Sequence, residues 1–216
     1  MPSSLQIKHL QLYRQGELLL SLDEQVYGGE ILTIMGPSGS GKSSLLNWIT
    51  GTLPSSFSAT GEVWLNDKNV SHLPTHQRHI GVLYQDALLF SHLSVAGNIA
   101  FAMPKTDNKS NKKQRIEKIN HALEQVGLAG MAKRHPHNLS GGQQARVALL
   151  RTLLSEPKAI LLDEPFSKLD TQLRAEIQQL VFTQIRTRKL PTIMVTHDLS
   201  DAKAAKGKII NLNLNA

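Results

Sequence analysis

The chain has 216 residues, 40% of them hydrophobic and 19% charged, which excludes a disordered polymer and suffices for one sizeable core, or for a core carrying a smaller insert. It contains no cysteine, so disulfides and thiolate metal sites are excluded, and no apolar run approaches the ~18 residues that a membrane span requires. The net charge of +7 is compatible with nucleic acid, an anionic surface or plain solubility, and its distribution has to decide among them.

The first residues, Met1-Pro2-Ser3-Ser4-Leu5-Gln6, lack the basic start and apolar core of an export signal, so the chain is expected to stay in the cytosol. Residues 5–13 alternate apolar and polar, the period of a half-buried strand, and 18–20 continue it as a hairpin after the Gln15-Gly16 turn. Residues 31–35, ILTIM, form a short apolar run of the kind found in strands buried on both faces, and 80–83, 159–162 and 192–195 are further runs of that type. Residues 62–65 read as a short antiparallel strand. Residues 105–115, with Lys109, Lys112 and Lys113, hold the densest positive charge; without interleaved aromatics they read as a solvated loop, and no nucleic-acid partner is expected. Between 91 and 154 the spacing becomes helical, with stripes at Ile116, Ile119, Leu123 and Val126 and at Val147, Leu150 and Leu154. Residues 172–188 form another amphipathic helix, with Leu173, Ile177, Leu180 and Ile185 inward and Pro191 beyond its end.

Three stretches carry chemistry. Gly36-Pro37-Ser38-Gly39-Ser40-Gly41-Lys42-Ser43 matches G-x-x-x-x-G-K-S/T and directly follows the strand 31–35. Its glycines permit turn conformations in which successive N–H groups converge on phosphate oxygens. Lys42 adds a point charge, Ser43 a hydroxyl for Mg²⁺, and the helix expected at 43–49 points its positive end at the same anion. Asp163-Glu164 ends an apolar strand; because neighbours on a strand point apart, the two carboxylates divide the work, one serving Mg²⁺ and the other a water aimed at the γ-phosphate. Ser140-Gly141-Gly142-Gln143 opens a predicted helix, where Ser140 can cap and the glycines admit close approach, making a second anion site.

In this order, GPSGSGKSS at 36–44, LSGGQ at 139–143, ILLDEP at 160–165, Ser167-Lys168-Leu169-Asp170 and Thr196-His197-Asp198 resemble the ATP-binding subunits of ABC transporters, from Tyr13 to beyond His197. The resemblance implies an α/β fold: a P-loop NTPase core with a mostly parallel sheet and an N-terminal antiparallel β part (1–90 and 156–216), and an inserted helical part at about 91–155. It implies ATP and Mg²⁺ as cofactors. Gly36 to Ser44 hold the phosphates and Tyr13 stacks on the base. Ser43, Gln85 and Asp163 serve the metal, and Glu164, His197, Lys42 and Gln85 the chemistry. Ser140, Gly141, Gly142, Gln143 and Asp170 reach the nucleotide of a second copy, so a homodimer is expected. By the same resemblance the partners are an integral permease and a solute-binding protein, the location is peripheral on the cytoplasmic face, and the subgroup is that of the thiamine, polyamine, iron and sulfate importers. The alternative within the family is a soluble ATPase of DNA repair, translation or iron–sulfur assembly. Lys168, Gln144, Ala145 and Leu150 depart from the usual pattern around the dimer contact.

Overall fold

A computed structural model describes residues 3–104 and 110–212. Its strands are β1 (Ser4–Arg14), β2 (Glu17–Tyr27), β3 (Ile31–Met35), β4 (Phe57–Leu65), β5 (Lys68–Asn69), β6 (Ile80–Leu83), β7 (Ala159–Asp163), β8 (Thr192–Thr196) and β9 (Ile209–Asn211). Its helices are α1 (Lys42–Thr50), α2 (Val95–Ala102), α3 (Ser110–Gln125), α4 (Gly141–Leu154), α5 (Thr171–Thr187) and α6 (Leu199–Ala205).

Two sheets form. The antiparallel one has the order β2-β1-β4-β5, and the parallel one β6-β7-β8-β3-β9. Gln15 and Gly16 both take positive φ, 53° and 85°, as a two-residue hairpin turn requires. A register shift between Ile7 and Leu10 interrupts the alternation of β1, so that Leu5 and Ile7 before it and Leu10 and Leu12 after it all turn inward. The apolar runs at 31–35, 80–83, 159–162 and 192–195 are indeed the parallel strands, and β8 is buried along its whole length.

The parallel sheet divides the core. On one face Leu161, Ile193, Val195, Leu32 and Ile34 pack with α1 and the antiparallel sheet; on the other, Ile160, Leu162 and Met194 pack with α4 and α5. A third cluster joins α2, α3 and the outer face of α4 through Val95, Ile99, Leu123, Val147 and Leu150.

Several expectations need correcting. The basic segment is not all loop: residues 110–115 open α3, where Arg115 donates to the Ala100 carbonyl at 2.7 Å, whereas 105–109 lie outside the described residues. Ile116 is 51% exposed, because the buried apolar contacts of α3 begin only at Ile119. The strand at 62–65 begins already at Phe57. In α5, Leu173 and Leu180 are only half-buried, and Val181 and Phe182 join Ile177 and Ile185 in the core. Among the described residues, no helix is long and apolar enough to cross a membrane.

Candidate functional site

The loop at 36–43 leaves the C-terminal end of β3 and enters α1. Gly39 and Gly41 have φ of +85° and +87°, closed to most residues with a Cβ, and a Cβ on Gly36 would stand 2.7 Å from Ser40 Oγ. Ser40 closes the turn by donating its hydroxyl to Pro37 O at 2.9 Å. Gly41 caps α1 without offering a side chain, so the free N–H groups of the first turn face the cavity. Lys42 is only 6% exposed, and its Nζ donates to Gly36 O and Pro37 O, each at 2.8 Å.

Across from the loop, the ends of β7 and β8 bring the acidic pair and the histidine together. Ser43 Oγ donates to Asp163 Oδ1 at 3.3 Å. Burial pushes the Asp163 carboxyl above its ordinary range, the Ser43 hydroxyl pulls it back, Glu164 adds to the rise and Lys42 opposes it. These two hard oxygens can serve a small cation that takes its remaining ligands from phosphate and water, and among the described residues no cluster of three metal-binding side chains competes with them. Glu164 lies in the left-handed region at φ 44°, a strained setting for a residue with a Cβ. Its N–H donates to Val195 O at 3.0 Å, and its Oε2 lies 3.0 Å from His197 Nδ1. The pairing of β7 with β8 thus delivers both side chains to one place.

A cavity of about 250 Å³ is lined by the phosphate loop, Glu164, Arg14 and Phe57. The last two escape a reading of the sequence. Arg14 and Phe57 are partners in the register of β1 and β4, with the guanidinium 5.7 Å from the ring centre. Arg14 stands two residues after Leu12, whose side chain faces Gly41, and so shares that face of β1. Tyr13 does not line the cavity; its hydroxyl donates to Gln11 Oε1 at 2.9 Å.

The remaining candidates gather elsewhere. Ser140 caps α4 in a reciprocal box with Gln143: Ser140 Oγ accepts from Gln143 N at 3.3 Å, and Ser140 N donates to Gln143 Oε1 at 3.1 Å. Ser140, Gly141 and Gln143 are not buried, whereas Gly142 packs against Leu173. Gln85 lines a separate cavity of about 120 Å³ with Gly141, Gln144 and Lys168, and Lys168 pairs with Asp86. Asp170 caps α5 by accepting from Leu173 N at 3.0 Å. None of these side chains lines the cavity beside the phosphate loop of its own chain.

A glycine loop between a buried parallel strand and a helix start, faced by a carboxylate at the end of β7, beyond β8 in the same sheet, defines a P-loop α/β protein built for nucleotide phosphates. Residues 19–167 match the family model described as ABC transporter. The chain belongs to this family. It is 50% identical over 190 residues to the uncharacterized ABC transporter ATP-binding protein YnjD of Escherichia coli K12, covering 88% of this chain and 86% of that one. It is 42% identical over 192 residues to the thiamine import ATP-binding protein ThiQ of Aliivibrio fischeri, covering 89% and 80%. Among solved structures it resembles the ATP-binding cassette MJ0796, a dimer in a post-hydrolysis state bound to ADP and Pi, with a TM-score of 0.75, 30% identity and coverage of 97% and 94%.

Proposed function

We propose that the chain hydrolyses ATP to ADP and phosphate as the energising subunit of a membrane importer, with two copies closing head to tail around two nucleotides at the cytoplasmic face of the membrane. The observation that carries this reading is the placement of two anion-directed helix starts in one chain: α1 opens onto the phosphate-loop cavity, whereas the capped start of α4 faces outward and contributes nothing to it. A second copy gives that outward start a γ-phosphate to cover. The dimeric ATP-binding cassette among the solved structures and the thiamine import relative support the pairing and the direction of transport.

In this scheme Lys42 exchanges its two loop carbonyls for the β and γ phosphates, while the N–H groups of the loop and of α1 surround the same oxygens. Ser43 and Asp163 would hold Mg²⁺, which would neutralise phosphate charge there, with Gln85 as a further ligand reaching in from its own loop. Glu164 accepts the proton of the attacking water, and His197 fixes that carboxylate through the 3.0 Å contact. Tyr13, on β1 beside Arg14, and Phe57 are the aromatics available to the base.

A permease has a place to dock. A groove of about 500 Å³ runs between the parallel sheet and the helical cluster, and Leu88, Phe90 and Phe101 stand exposed along it. Arg151 holds the adjoining loop by donating to the carbonyls of Leu88 at 2.7 Å and Ala87 at 2.9 Å.

The test is Glu164→Gln. ATP binding is expected to persist, turnover to fall by at least ~100-fold as expected for a lost general base, and the variant to become dimeric on ATP addition by light scattering. Turnover at the wild-type rate would remove Glu164 from the mechanism.

A further inference from the structure

Next to the hydrolytic site, without lining it, a polar cluster ties α5 to the turn that carries His197. Arg174, in the first turn of α5, donates from Nε to Asp201 Oδ1 at 2.8 Å and from Nη2 to Asp198 Oδ2 at 2.6 Å. Gln178, one turn further on, donates to the same Asp201 oxygen at 2.6 Å. Thr196 Oγ1 donates to Asp201 Oδ2 at 3.2 Å and accepts from Asp198 N at 3.0 Å. The second oxygen of Asp198 accepts from Ser200 N at 2.7 Å and so starts α6.

His197 is therefore bracketed. Both of its chain neighbours belong to one network, whereas its own ring meets Glu164 and, among the described residues, no other ion-pair partner. Among the described residues, Arg174 is the sole cation of that network. Asp201 is 1% exposed, and a carboxylate so enclosed requires a charged partner. The Ser200 contacts, and then Arg174, hold the Asp198 carboxyl down at about 2, so it remains an anion wherever the protein is folded near neutrality. At the same end, α5 is capped by Asp170.

We infer that Arg174 is a positioning residue: its two-carboxylate fork sets the turn 196–198, and through it the placement of His197 against Glu164. The fork geometry matters as well as the charge, because a lysine can neutralise either carboxylate but cannot span both in one plane. The inference rests on the hydrolytic role of Glu164 and His197 proposed above.

The experiment compares ATP turnover, nucleotide affinity and thermal unfolding for the wild-type chain, Arg174→Lys, Asp198→Asn and the double variant. Asparagine still caps a helix, so Asp198→Asn removes the charge pair while leaving the start of α6 intact, and it decides the matter should Arg174→Lys unfold. Each single variant is expected to lower kcat by about tenfold, the order seen when a supporting contact of a reactive group is lost, with KM and the affinity for ATP within about twofold. The double variant should fall no further than Arg174→Lys alone, because Asp198→Asn breaks only a contact that Arg174→Lys already breaks. Unchanged kcat in folded variants overturns the inference, and so does a parallel loss of kcat, ATP affinity and melting temperature, which is the mark of general destabilisation. A wild-type chain that turns over no ATP would instead overturn the proposed function beneath it.

Discussion

Lys42 waits for its substrate folded onto its own loop. A buried ammonium with two carbonyl acceptors and, among the described residues, no ion-pair partner is held well enough to be ordered, yet a phosphate offers it full charge and displaces the carbonyls. Lys42→Ala is expected to weaken ATP binding by ten- to a hundredfold, since hydrogen bonds to a charged group contribute about 1.5–3 kcal/mol; unchanged affinity in a fluorescent-nucleotide titration would contradict the assignment. Phe57 provides a separate check. If its ring carries the nucleoside, Phe57→Ala should weaken ATP by about tenfold, as base–aromatic stacking predicts, while inorganic tripolyphosphate binds as before; Tyr13→Ala is the control that tells which aromatic does so. The two cases also show what a sequence can disclose. The glycines and the lysine at 36–43 are dictated by local backbone geometry and can be read directly. Phe57 and Arg14 meet only because β1 and β4 are paired in one particular register, and no local pattern announces that.

Elements were legible where their burial pattern was simple. The doubly buried strands followed from their unbroken apolar runs and the span of α5 from its helical spacing, but the bulge after Ile7 did not follow, because a one-residue slip looks like noise in a short alternating run. Arg78 is a plainer failure of local reading. It resembles any surface cation, yet it is 5% exposed and donates to the carbonyls of Trp48, Ile49, Ser71 and Leu73. Two of these end α1, so the guanidinium closes the negative end of the helix whose positive end faces phosphate. Burial lowers its pKa. Arg78→Ala would strand several buried carbonyls, and with one to three kcal/mol for an unpaired group a loss of about 3 kcal/mol is expected. Differential scanning calorimetry should then show a fall of roughly 10 °C at this chain length; a fall under ~2 °C would mean that water replaces the guanidinium.

At the scale of the whole molecule, the order of the motifs can be read along the chain, but their separation cannot. The sequence alone does not reveal that the cavity at 36–43 and the helix start at 140–143 fail to meet within one chain; the packing of α4 against α5, through Gly142 and Leu173, makes that plain. Ser140→Arg should therefore bind ATP normally and hydrolyse none, since the change lies outside the chain's own nucleotide cavity. Mixed with Lys42→Ala, it should recover some turnover, because each pair of unlike copies contains one unaltered composite site. A fully active Ser140→Arg would show that one chain suffices.

The last described residue, Leu212, donates its N–H to Met35 O at 2.6 Å and lies against Gly36, the first residue of the phosphate loop. Since the chain has no native thiol, a single cysteine placed there can be labelled selectively with an environment-sensitive dye. Its emission would follow arrival and departure of nucleotide in real time, from a position at the start of the phosphate loop.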